Sequence, residues 1–238
     1  MTGLRDIWVY LSASPLLHLT LTLVAFQAGS WIYRRAGLNP LLNPVLLAVI
    51  AIVAILVSTG TPYSKYFEGA QFVHFLLGPA TVALAIPLYR QLERVRRSAV
   101  AIFVSLLTGS LTAALSAVLL VKVLGGSRDT MISMAPKSVT APVAMGISEQ
   151  LGGLPSLTAV LVILTGILGA MLGPPLMNLL GIKDWAARGL AIGTASHGIG
   201  TARALQVSEV AGAFSGLAMG LNALATAALL PLLWRLLF

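Results

Sequence analysis

The chain predicts an all-α membrane protein, a polytopic helical bundle, and three observations predict it. It is 58% hydrophobic and only 9% charged, where soluble domains carry about 25% charged residues. Its mean hydropathy is +0.94. Its apolar residues come in long unbroken runs rather than the two-residue alternation of a membrane barrel. At about 20 residues per crossing, 238 residues predict about seven or eight transmembrane segments in a single integral membrane domain spanning 1–238. Two of those segments are rich in Gly, Pro and hydroxyl residues. They are expected as interrupted half-helices near the midplane, as in transporters.

The elements follow in order. Trp8 and Tyr10 suit a headgroup interface. A first helix is expected from about Pro15 to Tyr33, closed by Arg34, Arg35 and Gly37. It does not resemble a cleavable signal, because His18, Thr20, Thr22 and Gln27 interrupt it and no small-residue cleavage site follows. Asn39-Pro40 and Asn43-Pro44 read as helix starts, with Asn capping and Pro in the first turn. A very apolar second helix, about Leu41 to Val57, stops at Ser58–Gly60 and Pro62. TPYSKYFEGA reads as an interfacial loop or lid. The run from Phe72 to Tyr89 must kink at Gly78-Pro79, since proline lacks the amide donor and clashes with the preceding turn.

RQLERVRR follows, then a long helix over Ala99–Val123 dotted with small residues that permit close helix packing. KVLGGSRDT is a loop, and the first interrupted segment follows it. After the EQLGGLPS loop a helix over about Ser156–Met177 carries Gly166, Gly169 and Gly173. GIKDWAARG is a loop, the second interrupted segment follows, and VSEV connects it to a last helix over Ala211–Phe238. Sliding the chain by 57 residues superposes 78–113 on 135–170 with identities that include Pro79/Pro136, Thr108/Thr165 and Gly109/Gly166. This is a weak internal repeat, and composition alone is the competing explanation.

The net charge is +8. The basic residues cluster at the ends of apolar runs, so they read as orientation signals toward the lipid bilayer rather than a nucleic-acid surface. Arg34-Arg35 and Arg90–Arg97 are then expected on the cytoplasmic side of the membrane. The absence of cysteine excludes disulfides and thiolate metal sites.

The chemistry concentrates in the interruptions. MISMAPKSVTAPVAMGISEQ places Lys137 after Pro136, beside Ser138, Thr140 and Pro142. Lys137 reads either as a snorkelling lysine or as a cation lining a path. GLAIGTASHGIGTARAL gathers Thr194, Ser196, His197, Thr201 and Arg203 among four glycines. Free amides and hydroxyls hold an anion without burying a fixed charge. A histidine at membrane depth is used or paired, and its ordinary pKa of about 6.5 suits tuning by protonation. The competing reading is a hydroxyl-mediated packing interface around a neutral histidine. The candidate substrate-binding residues are therefore Lys137, Ser138, Thr140, Pro142, Thr194, Ser196, His197, Thr201 and Arg203. No catalytic set, metal site or cofactor is expected. The seven carboxylates read as loop or interfacial, and adjacent Ser196 and His197 do not make a nucleophile–base pair.

PKSVTAPVAMGIS, LTGILGA and GTASHGIGTARAL, with the upstream NPVLLA and LLGPATVALAIPLY, resemble the LrgB/CidB family of bacterial membrane proteins. The resemblance runs from about Asn39 to the end. It implies one of two activities. One is an antiholin- or holin-like modulator of murein hydrolase export and cell lysis, acting with a small LrgA/CidA-type membrane partner. The other is transport of small monocarboxylates such as pyruvate, glycolate or glycerate, in which a related plastid protein moves glycolate and glycerate. A carboxylate-free, hydroxyl-rich centre with cationic bias suits the second. A homodimer would supply the static scaffold that an elevator-like transporter needs.

Overall fold

The structure, a computed structural model, is helical throughout its described residues, 15–39 and 42–237. Trp8 and Tyr10 lie outside them, as do Pro40, Leu41 and Phe238. The chain divides into two compact units, one running to Ala83 and the other beginning at Leu84.

The first unit holds α1 (Pro15–Arg35), α2 (Pro44–Thr59), α3 (Tyr63–Phe75) and α4 (Leu77–Ala83). Asn43 starts α2 as expected. Its side chain accepts from the Val45 and Leu46 amides, and Pro44 occupies the first turn. Glycine sets the packing at α1. A Cβ on Gly29 would meet the Pro44 carbonyl at 2.8 Å, so α1 and α2 touch backbone to backbone there. TPYSKYFEGA is not a loop: from Tyr63 on it forms the start of α3. Tyr63 and Phe67 stack one turn apart, 5.8 Å between rings, and Tyr66 shares a 2.8 Å hydrogen bond with Thr22 of α1. Those contacts give the polar-aromatic stretch a helical face to bury. The apolar run after it breaks at Leu76 and again at Leu84. Each break lies three residues before a proline, Pro79 and Pro87, so the clash and the lost donor act on the turn preceding the ring. The expected kink at Gly78-Pro79 is thus displaced towards the N-terminus and is one of two.

The second unit holds α5 (Ala85–Arg90), α6 (Leu92–Arg97), α7 (Ala99–Val123), α8 (Arg128–Met134), α9 (Ala141–Leu151), α10 (Pro155–Leu179), α11 (Trp185–Val207) and α12 (Glu209–Leu237). The RQLERVRR stretch is mostly helix, ending at Ser98. The expected loops are shorter than their sequences suggested, because capping residues start helices inside them. Ser127 accepts from the Thr130 amide and opens α8. Asp184 accepts from the Ala187 amide and opens α11.

α11 and α12 lie closest. A Cβ on Gly189 would strike the Ala211 carbonyl at 2.2 Å, and one on Gly193 the Ser215 carbonyl at 2.2 Å. The glycines of α10 face the same helix: Gly166 opposes His197, Gly169 opposes Ser196 and Gly173 opposes Ile192. Gly109 of α7 faces Thr194. The small-residue faces of α7 and α10 therefore pack on α11, within the unit. Apolar clusters fill the spaces between, one of Ile102, Ala186 and Phe214, another of Met177, Ile192, Ala204 and Ala211.

Four helices among the described residues are long and apolar enough to cross a membrane: Pro15–Arg35, Ala99–Val123, Pro155–Leu179 and Glu209–Leu236. Their outer faces carry large exposed apolar side chains, among them Val100, Leu119, Leu172 and Leu224. Lipid is the environment that suits such faces.

Candidate functional site

The first interruption is a turn over residues 135–140 between α8 and α9. Two short backbone bonds shape it, the Lys137 amide to the Met134 carbonyl and the Val139 amide to the Pro136 carbonyl. Thr140 is extended and caps α9 through its carbonyl, which accepts from the Ala144 amide; its hydroxyl makes no capping bond. Pro142 sits in the first turn of α9, where a missing amide costs nothing, and is exposed. Ser138 lies two residues before the cap, so no amide of α9 reaches its carbonyl. Lys137 is half-buried, and its ammonium donates to the Ser138 hydroxyl at 3.3 Å.

The second interruption is narrower than its glycines suggest. α11 continues through Gly193, Gly198 and Gly200 and departs from helical geometry at a single residue, His197, with φ 40° and ψ −135°. The glycines provide close approach to neighbouring helices, and the strained torsion falls on histidine. A non-glycine residue at positive φ persists only where its surroundings hold it. Here the ring does: Nε2 lies 2.9 Å from the Val162 carbonyl of α10. A carbonyl only accepts, so Nε2 carries the hydrogen and the neutral ring keeps Nδ1 as an acceptor. Thr201 donates to the His197 carbonyl at 2.8 Å and shares a 2.9 Å bond with Ser215 of α12, tying the far side of the break to that helix.

One side chain joins the two interruptions. Asn222 of α12 donates from Nδ2 to the Ser138 carbonyl at 3.3 Å and to the Thr194 carbonyl at 3.0 Å. Val162 joins them a second time. Its side chain packs with Val139 of the first interruption and Ala144 of α9, while its carbonyl holds His197 of the second. The two segments singled out by sequence therefore meet at a buried polar junction.

The candidate residues divide by what they offer there. Ser138 and Thr194 contribute carbonyls; the Thr194 hydroxyl is spent on the Leu190 carbonyl of its own helix. His197 and Thr201 are buried and bonded. Ser196 is fully buried against Gly169, and its hydroxyl has no hydrogen-bond partner among the described residues. Lys137 and Thr140 flank the turn. Pro142 faces outward, and Arg203 sits half-buried almost two turns beyond His197. Sequence reasoning missed Asn222, Ser215 and the Val162 carbonyl. Asn222 had a readable signal, as the one amide side chain in a 29-residue apolar helix, where a polar group is expensive unless used. A carbonyl on a neighbouring helix has none.

The junction can present carbonyls, a buried amide, a histidine acceptor and the first-turn amides of α9 to a small polar solute, with the Lys137 ammonium beside Ser138 at its edge. The Asn222 Oδ1 has no donor among the described residues. At the Arg-rich end of the unit, Arg94 pairs with Asp184, Arg90 with Glu209 at 3.0 Å and Arg97 with Glu93 at 2.9 Å, all exposed. The Ala187 amide foremost, with Arg94 adding to it, holds the Asp184 carboxyl below its usual range.

Known proteins share this sequence over nearly its full length. The chain is 38% identical over 224 residues to the holin-like protein CidB of Staphylococcus epidermidis, covering 94% of this chain and 96% of that one. It is 35% identical over 218 residues to the holin-like protein CidB of Staphylococcus aureus, covering 92% and 95%. It is 36% identical to the uncharacterized protein YwbG of Bacillus subtilis, covering 92% and 96%. No solved structure matches it. Residues 22–236, which contain both interruptions and the Asn222 bridge, match the LrgB-like family, and the chain belongs to that family as a multi-pass bacterial membrane protein.

Proposed function

We propose that this protein is the larger membrane component of a holin-like system, and that its molecular activity is movement of a small monocarboxylate through the junction between its two interrupted segments. The names of its relatives support the first half. The Asn222 bridge supports the second. A lesion made by clustering plain helices needs no buried amide joining two interrupted segments. Selective movement of a polar solute does, because irregular backbone at membrane depth persists only inside protein or along a polar cavity.

In this reading the carboxylate sits between the Ser138 turn and the His197 break, with Lys137 offsetting its charge. The first-turn amides of α9 and the hydroxyls of Thr140 and Ser196 supply directional bonds, while Thr201, its hydroxyl hydrogen engaged by the His197 carbonyl, steadies the break. The interrupted segments lie near the bilayer centre. The shorter helix α2, the α8–α9 pair and α11 cross with the four long ones to make seven segments, and the bent stretch from Tyr63 to Arg90 makes an eighth. Arg34-Arg35 and Arg90–Arg97 face the cytoplasm, a small LrgA/CidA-type protein is the partner, and the working unit is a homodimer.

The test is reconstitution in proteoliposomes, alone and with the small partner, loaded with a large dye. Saturable uptake of labelled pyruvate or glycolate with the dye retained is the expected result. Dye release in step with carboxylate flux would identify a lesion-forming holin and remove the transport half of the proposal.

A further inference from the structure

Two cavities lie between α7 and α11 and abut each other. The outer one, about 340 Å³, opens between Arg94, Ser98 and Asp184. The inner one, about 380 Å³, is lined by Ser105, Gly109, Ala113, Thr194 and Ala195. They share Ser105, Ala187 and Leu190. Each wall is a single helix face. Ser98, Ser105, Gly109 and Ala113 recur at seven- and four-residue spacings on α7, as do Asp184, Ala187, Ala191 and Thr194 at three and four on α11.

The length fits a route. Asp184 to Thr194 is ten residues, about 15 Å of helix at roughly 1.5 Å per residue. That is half of a hydrocarbon core about 30 Å thick. The groove thus runs from the Arg-rich end of the unit to the turn that carries the Thr194 carbonyl, which Asn222 holds beside the His197 break. Gly109 is the residue that keeps it open inward, since a Cβ there would already press on Thr194 at 3.2 Å. The mouth is polar: Arg94 donates to Asp184 across it and lies over the Phe214 ring. The neighbouring face of α7 differs, with Ile102 on the border between the two. There a cavity of about 590 Å³ is lined only by apolar side chains, among them Phe103, Leu107 and Leu221, and suits lipid chains.

We propose that the α7–α11 groove is a water-filled access route from the Arg90–Arg97 face to the junction, with Arg94 at its mouth drawing anions in. This rests on the carboxylate reading for what travels along it, but the wetness of the groove is testable by itself. The chain has no cysteine, so single cysteines report cleanly. Ser98→Cys, Ser105→Cys and, as a lipid-facing comparison on the same helix, Phe103→Cys are each treated in membranes with a negatively charged, impermeant methanethiosulfonate. Arg96→Cys marks the side. Ser105→Cys should react from the same side as Arg96→Cys and at least about ten-fold faster than Phe103→Cys, because the thiolate, which forms where water reaches the sulfur, is the species that attacks the reagent and displaces its sulfinate. Pyruvate should slow that reaction, and completed modification should block pyruvate uptake. Ser98→Cys, nearer the mouth, repeats the test if Ser105→Cys does not fold. Equal, slow reaction of Ser105→Cys and Phe103→Cys would overturn the route, as would reaction from the side opposite Arg96→Cys. Modified protein that still takes up pyruvate at the unmodified rate would overturn it too. A reactive Ser105→Cys in a protein that moves no carboxylate would leave the wet groove standing and sink the proposed function.

Discussion

Replacing Asn222 tests the junction at the point where one side chain holds both interruptions. Asn222→Leu keeps the branched arrangement of side-chain heavy atoms and removes two donated bonds, to the Ser138 carbonyl at 3.3 Å and the Thr194 carbonyl at 3.0 Å. Bonds between membrane helices average about 0.6 kcal/mol each and reach about 1.7, so the loss is about 1–3 kcal/mol. Part is returned, because leucine also removes the buried Oδ1, which has no donor among the described residues. A net destabilisation of about 1–2 kcal/mol is expected. For a chain of this size that lowers Tm by roughly 2–4 °C per kcal/mol, measurable by thermal denaturation in detergent. Asn222→Asp should be worse than Asn222→Leu. It loses both donors and aims a carboxylate at two carbonyls, leaving a buried group unpaired. Ser110→Ala, which removes one 3.1 Å hydroxyl bond to Thr226, should cost less than either. Asn222→Leu with unchanged Tm, or Asn222→Asp equal to the native protein, would refute the bridge.

Two further substitutions probe local geometry. Inside a regular helix glycine is about 1 kcal/mol worse than alanine, but at His197, with φ 40°, the order should invert. His197→Gly should exceed His197→Ala in thermal stability by about 1 kcal/mol, because only glycine takes that torsion freely; the ordinary helical order would mean the break is absent. At the start of α11, Asp184→Ala removes the cap on the Ala187 amide and should cost about 1 kcal/mol, whereas Asp184→Asn keeps a capping oxygen and should cost a few tenths. The Asp184 carboxyl is held below its unfolded pKa of about 3.9. Its contribution is therefore complete above that value and lost as pH falls through the lowered folded pKa, so the native protein and Asp184→Asn should converge in stability only in strong acid.

Much of the fold was legible because membrane helices announce themselves by apolar run length. α1, α7, α10 and α12 follow from that alone. Ends were harder, since capping by Ser127 and Asp184 starts helices inside stretches whose composition reads as loop. α3 was missed because its helical face is aromatic and polar, and its stability comes from Tyr66 reaching Thr22 on another helix. At the site, the Pro136–Thr140 interruption was legible from its proline and hydroxyl content. The break in α11 was read in the right segment and on the wrong residue type. Its glycines serve close approach to α10 and α12, and His197 takes the strain because a carbonyl on α10 holds its ring. That partner lies 35 residues away in sequence, and no local pattern reports it.

The most direct measurement of the central claim, that a carboxylate anion sits beside the Lys137 turn, is the concentration dependence of pyruvate uptake by native protein and by Lys137→Gln in proteoliposomes. Lys183→Ala, an exposed lysine elsewhere in the unit, is the comparison. A charge-assisted hydrogen bond is worth about 1.5–3 kcal/mol, so Lys137→Gln should weaken apparent affinity by about one to two decades, while Lys183→Ala leaves it unchanged. Native affinity in a folded Lys137→Gln protein would contradict the account and make the lysine an interfacial anchor.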